Sequence, residues 1–226
     1  YLLMFPTTIF LSALYADSLF ISLAAASALA TQRRRWWSSG ALAAAAALAR
    51  PFGIVSVIPL CVALWRERAT APRVSVLAIV LPPAAIALWE AYLYAVTGDP
   101  LAVLHGYTSG FTPQPPLQAF TDLLDPSVYG FPYLVAGAFA LFVALTVIAW
   151  RVTDRGLAAY ATVMMLVIGG AGSLTSSMRY ELSVFPAFIA LGDALRSRSL
   201  NSVWVAVSAL LAIFFAAMFA LRSWVG

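Results

Sequence analysis

Four places in this sequence put an ionisable side chain inside or beside a strongly apolar stretch. Such a group has to be paired, hydrated or used, because burying it costs several kcal/mol. Asp17 stands in Tyr15-Ala16-Asp17-Ser18, where it reads either as a helix N-cap or as a carboxylate lining a cavity. Arg50 precedes Pro51 and Gly53 inside an apolar block. Its fork of N–H donors suits a phosphate, and a structural ion pair with Asp17 or Glu90 is the alternative. Glu90, in Leu88-Trp89-Glu90-Ala91-Tyr92, reads as an arginine partner or as an acid of raised pKa near a substrate. Arg179, in Arg179-Tyr180-Glu181, falls in a short polar turn between two apolar segments and could hold an anionic group. His105 is the one histidine, has no metal-ligand spacing around it, and reads as a surface or pocket residue. No metal site is expected, although a divalent ion stays open. No Gly-x-Ser-x-Gly, phosphate-binding loop or dinucleotide fingerprint occurs.

The elements that position these residues must lie in lipid. Of 226 residues, 63% are hydrophobic and 10% charged, against about 25% charged in a soluble domain. The apolar runs are of helix length, rich in Ala and Leu, without the period of two of a membrane barrel. All 13 basic residues are arginine and the formal net charge is +4. No basic face on a soluble domain accompanies them, so nucleic acid is not an expected partner. The single Cys61 excludes an intrachain disulfide.

The pattern predicts an all-α fold, a polytopic bundle of about seven to eight membrane helices forming one transmembrane domain over residues 1–226. Tyr1 to Phe5 read as the end of a helix closed by Pro6, and the chain as the later part of a longer protein. Spans are expected near residues 17–31, 74–96, 131–150, 157–174, 182–195 and 202–221, with Pro82-Pro83 kinking the second. Residues 36–65 are broken by Arg50-Pro51-Phe52-Gly53 and flanked on both sides by arginine. A re-entrant-like hairpin of two short arms puts both basic flanks on one side, as the positive-inside rule asks. Ten arginines (33, 34, 35, 66, 68, 73, 151, 155, 196 and 198) then share one side. Residues 97–130 contain no arginine and form an outward-facing loop.

Four short motifs resemble those of the PIG-V family, GT-C fold mannosyltransferases that use polyprenyl- or dolichyl-phosphate mannose. Phe5-Pro6-Thr7-Thr8 with Tyr15-Ala16-Asp17-Ser18-Leu19-Phe20 is similar to the family's F-P-T-S…Y-[ST]-E-S-L-F segment. Trp36-Trp37 with Leu48-Ala49-Arg50-Pro51-Phe52-Gly53 resembles R-W…L-x-R-P-x-G. Gly98-Asp99-Pro100-Leu101-Ala102 resembles G-D-P-[LA]-A-F. Ser177-Met178-Arg179-Tyr180 with Phe185-Pro186 resembles S-x-x-R-Y…F-P. The order and spacing fit across nearly the whole chain. Asp17 stands where Glu is commoner, and His105-Gly106-Tyr107 where a Trp often follows.

The resemblance implies an integral membrane glycosyltransferase, moving mannose from a polyprenyl-phosphate-linked donor to an acceptor on the extracytoplasmic side of a bacterial plasma membrane. Arg50 and Arg179 are the expected phosphate ligands. Asp17, Glu90 and Asp99 would orient arginines or sugar hydroxyls, with His105 and Tyr180 as further binding candidates. The acidic catalytic base is expected upstream of Tyr1, so this segment alone should be inactive. The partners implied are the bilayer and the lipid-linked donor, with no cofactor evident. The alternative is a transporter or flippase for a lipid-linked or anionic substrate, with Arg50-Pro51 at a broken helix.

Overall fold

The structure is a computed structural model that describes every residue except 14, 104, 107–114, 116–117, 123–130, 175 and 222–226. Much of the expected outward loop lies outside the described residues. Among those described, every regular element is helical, as the absence of a period-two pattern requires. Three helical segments are long and apolar enough to cross a membrane: Arg73–Thr97, Pro132–Val152 and Arg198–Ala220. At 1.5 Å per residue each is about 30 Å or longer, the thickness of the hydrocarbon core. They mark the chain as a membrane protein. Three of the expected seven to eight spans are thus present by length and composition. Pro51–Arg66, Arg155–Gly169 and Phe185–Ala194 are apolar but shorter. The chain forms two compact units, one of Tyr1–Ser18 with Pro116–Gly226 and one of Leu19–Pro115.

The second unit begins within the first turn of α2 (Asp17–Gln32), which a tight turn joins to α3 (Trp36–Ala49). Arg34 takes the left-handed backbone at φ 57° in that turn. Ser27, Thr31 and Ser39, all buried, tie the two helices together. Ser27 Oγ donates to the Ser39 carbonyl at 2.9 Å, and Thr31 Oγ1 lies 2.7 Å from Ser39 Oγ. Hydroxyl pairs of this kind hold helices where no hydrophobic difference from the solvent can.

Residues 36–66 fold back on themselves at Arg50-Pro51. The helix stops at Arg50, which is extended (φ −149°, ψ 137°), because the residue before a proline is pushed out of the α region. A 3-10 segment, Pro51–Val57, follows and leads into α4 (Ile58–Arg66). It lies flat on α3: a Cβ on Gly53 would stand 2.1 Å from the Ala46 carbonyl oxygen. Trp36 at the start of α3 packs with Leu60 and Leu64 of α4 and with Ala78. Arg34 Nε meets Glu67 Oε2 at 3.0 Å. The basic flanks at 33–35 and 66–68 therefore share one end.

The kink expected at Pro82-Pro83 falls where the helical segment Arg73–Thr97 changes type. Residues Arg73–Val80 form a 3-10 segment, and α5 (Leu81–Thr97) starts with both prolines in its first turn. Proline has no N–H to donate, so the first turn is where it costs least. Gly40 lets α3 approach this segment, since a Cβ there would lie 2.3 Å from the Ala78 carbonyl oxygen.

The first unit opens with a single 3-10 turn, Leu2–Met4, where the sequence led us to expect the end of a helix closed by Pro6. Phe5 is extended (ψ 144°) ahead of Pro6, again the pre-proline restriction. Then come α1 (Ile9–Ser12), α6 (Gln118–Asp122), α7 (Pro132–Val152), α8 (Arg155–Gly169), α9 (Ser177–Tyr180), a 3-10 turn Glu181–Ser183, α10 (Phe185–Ala194) and α11 (Arg198–Ala220). Side-chain caps start two of these helices. Asp154 accepts from the Gly156 amide at 2.8 Å and Ser197 from the Leu200 amide at 3.2 Å. Phe5, Phe142 and Phe188 meet edge to face at 5.3–5.5 Å and form the centre of the core. Tyr160 hydroxyl donates to the Ser183 carbonyl at 2.9 Å and fixes the turn to α8.

Candidate functional site

In the first unit, three of the sequence candidates come together around Arg179. The short helix α9 carries Arg179, and Thr7 Oγ1 pins the preceding residue by donating to the Met178 carbonyl at 2.9 Å. Arg179 is only 7% exposed. Its guanidinium carbon lies 4.8 Å from the ring centre of Tyr180, 4.9 Å from that of Tyr15 and 5.4 Å from that of Phe10. Aromatic faces carry negative electrostatic potential, and each is worth up to about 2 kcal/mol to a desolvated cation. Phe10 is set by edge contacts with Tyr15 at 5.6 Å and Phe219 at 5.8 Å.

Asp17 supplies the charge partner. Its Oδ2 lies 3.7 Å from Arg179 Nε, and the residue is 3% exposed. The distance is within an ion pair and too long for a good hydrogen bond. Arg179 Nε has no hydrogen-bond partner among the described residues. Arg179 Nη2 sits 3.1 Å from the Tyr180 hydroxyl. Asp17 opens α2, so its carboxylate also faces the positive end of the helix dipole. From sequence Asp17 was weighed as a helix N-cap or as a carboxylate lining a cavity; it is the first residue inside α2 and faces Arg179. Chemically the cluster is a buried guanidinium, held in place by rings, with donor capacity left for an oxyanion.

Glu181 adds a group that the sequence reading did not count among its site residues. It sits on the turn between α8 and α10, is 0% exposed, and neither carboxyl oxygen has a hydrogen-bond partner among the described residues. Burial pushes its pKa up to about 8. The available signal was an acid four residues ahead of Phe185-Pro186 in an otherwise apolar stretch. Nothing local distinguished it from a solvated turn residue.

In the second unit the candidates are arranged differently. Arg50, half-buried at the break after α3, places its guanidinium carbon 5.7 Å above the Phe52 ring. Phe52 in turn meets Phe20 edge to face at 5.3 Å. Glu90, half-buried on α5, has an Oε2 with no hydrogen-bond partner among the described residues. Asp99 and His105 form a separate, exposed pair. Gly98 takes φ 74° and ends α5, and the Leu101 amide donates to Asp99 Oδ1 at 3.0 Å. His105 Nδ1 lies 2.7 Å from Asp99 Oδ2. The Leu101 amide first, then the His105 ring, hold the Asp99 carboxyl below the usual carboxylate range. The Gly-Asp-Pro element thus has a sufficient structural role as a helix stop followed by a side-chain-capped turn.

Among the described residues, no three or more His, Cys, Asp or Glu side chains gather as metal ligands. Comparison of the chain with protein-family models, with curated proteins and with solved structures finds no match.

Proposed function

We propose that this chain is the membrane-embedded body of a glycosyltransferase that moves a hexose, mannose by the motif resemblance, from a polyprenyl-phosphate donor to an acceptor hydroxyl. The observation that supports it most is the enclosed Arg179 guanidinium, with Nε unbonded and Asp17 at ion-pair distance. In this reading Arg179 receives the donor phosphate as it becomes the leaving group. Charge stabilisation of that kind is the largest single contribution available to such a reaction. Asp17 holds the guanidinium in place, and Tyr180 orients it from the other side. Arg50 is the second unit's candidate for the same chemistry. Glu90, Asp99 and His105 are its candidates for sugar hydroxyls. The acceptor hydroxyl attacks the anomeric carbon, the carbon–oxygen bond to phosphate breaks, and an acidic side chain takes the hydroxyl proton. The site faces the extracytoplasmic side of a bacterial plasma membrane, in a GT-C-like bundle of seven to eight spans.

The test is transfer of labelled mannose from polyprenyl-phosphate mannose by the full-length protein in membranes. Arg179→Ala and Arg50→Ala should each lower turnover at least about tenfold, the range for removing one charge-stabilising group. Wild-type turnover in both, at wild-type protein level, would sink the assignment.

One observation favours a transporter instead: the helix broken at Arg50 and continued as a 3-10 segment, a form that substrate sites in transporters use. Flux of a lipid-linked or anionic substrate across vesicles, with no covalent product, would decide for that reading.

A further inference from the structure

Between α7 and α8 runs a groove of about 500 Å³, walled by Val143, Val147 and Trp150 on one helix and Met165 and Leu166 on the other. From Phe139 to Trp150 it follows α7 for roughly 16 Å at 1.5 Å per residue. That is about one leaflet's half of the hydrocarbon core. At one end Phe120 and Phe139 line it and meet edge to face at 5.6 Å, and a Cβ on Gly169 would stand 3.1 Å from the Phe139 ring. The other end is marked as a membrane interface. Trp150 Nε1 donates to Thr162 Oγ1 at 3.0 Å, in the manner of interfacial indoles. Arg151 follows directly, and Arg155 opens α8; both are exposed. Asp154 between them has Oδ1 committed to the Gly156 amide.

A polar atom in the groove lacks a hydrogen-bond partner among the described residues. Thr146 is 7% exposed, lines the groove, and its Oγ1 makes no hydrogen bond among the described residues. Its neighbours behave otherwise: Thr153 and Thr162 donate to the carbonyls four residues back, at 2.8 and 2.9 Å. A buried hydroxyl without a partner is costly, and Thr146 lies one turn inward of Trp150. We propose that this groove seats one acyl chain of a phospholipid, with the ester carbonyl accepting from Thr146 Oγ1 and the phosphate against Arg151 and Arg155. The site is independent of the Arg179 cluster and of the transferase reading.

Native mass spectrometry of the full chain, delipidated in mild detergent and titrated with palmitoyl-oleoyl phosphatidylglycerol, tests this. The expected result is one lipid retained per chain. Val147 is 59% exposed, so Val147→Trp fills the groove mouth without loading the core. It should lower occupancy at least fivefold. Thr146→Val should lower it about threefold. Arg151→Gln/Arg155→Gln, which leaves the walls intact, should do so at least fivefold even if the tryptophan variant folds poorly. Leu210→Trp, on an outward face of α11, should change nothing. Wild-type occupancy in both the tryptophan and the double-arginine variants would overturn the proposal. So would displacement of the lipid by detergent alone at its critical concentration.

Discussion

Replacing Glu181 by Gln should flatten the pH dependence of this protein's stability. The carboxyl is fully buried and makes no hydrogen bond among the described residues, and its pKa in the fold is pushed up to about 8 from the ordinary 4.5. Below pH 4.5 the folded and unfolded chains both carry the proton, and the group contributes nothing. Between 4.5 and 8 the unfolded chain releases its proton while the fold keeps it, so stability falls with rising pH by about 1.4 kcal/mol per unit. Above 8 both forms are ionised and the loss levels off. Over about 3.5 units the total is about 5 kcal/mol. Gln has the same shape and never ionises. Its stabilisation relative to wild type should be near zero at pH 4.5 and grow to several kcal/mol at pH 8. For a chain of this size that is about 10 °C in melting temperature. The assay is thermal unfolding of the full chain in detergent from pH 4.5 to 9, both proteins in the same buffers. An equal offset between the two proteins at every pH would refute the reasoning, because it would mean that Glu181 is hydrated or paired.

Asp17→Asn should destabilise the protein by about 3–5 kcal/mol, the cost of leaving one partner of a buried ion pair unpaired, read as a lowered melting temperature. Arg179→Met in the same chain should recover part of that loss, since it removes the stranded charge; no recovery would show that the two residues are not coupled. Gly53→Ala should lower stability by at least about 2 kcal/mol, because the new methyl would overlap the Ala46 carbonyl at 2.1 Å. The same substitution at Gly98, where nothing lies within 4 Å, should cost only the strain of a left-handed backbone, about 1 kcal/mol. In a Cys61→Ala background, Arg34→Cys and Glu67→Cys should react with an impermeant maleimide from the same side of the membrane. Labelling from opposite sides would refute the hairpin.

Composition and periodicity were enough to reveal the helical class, the membrane-length apolar helices and the break at Arg50-Pro51. Each of these depends on local chemistry: side-chain transfer into lipid and the missing proline N–H. Pro82-Pro83 shows how far that reach extends. Its disruption was legible, but the 3-10 geometry of the residues before it, packed against Gly40, was not. The candidate site was legible only as types. Asp17 and Arg179 could be named as candidates because each is expensive to bury, and Tyr180 by the motif resemblance. Their assembly, with the rings of Phe10 and Tyr15 around the guanidinium, joins segments from opposite ends of the chain. No local pattern encodes such a distance. Glu181 is the clearest case. Its sequence context is that of a solvated turn, and its chemistry comes wholly from the helices that close over it. The sequence alone determined which residues could not be indifferent to a membrane. The tertiary structure decided which of them are shut away from water, and so which can hold a charge, a proton or a lipid.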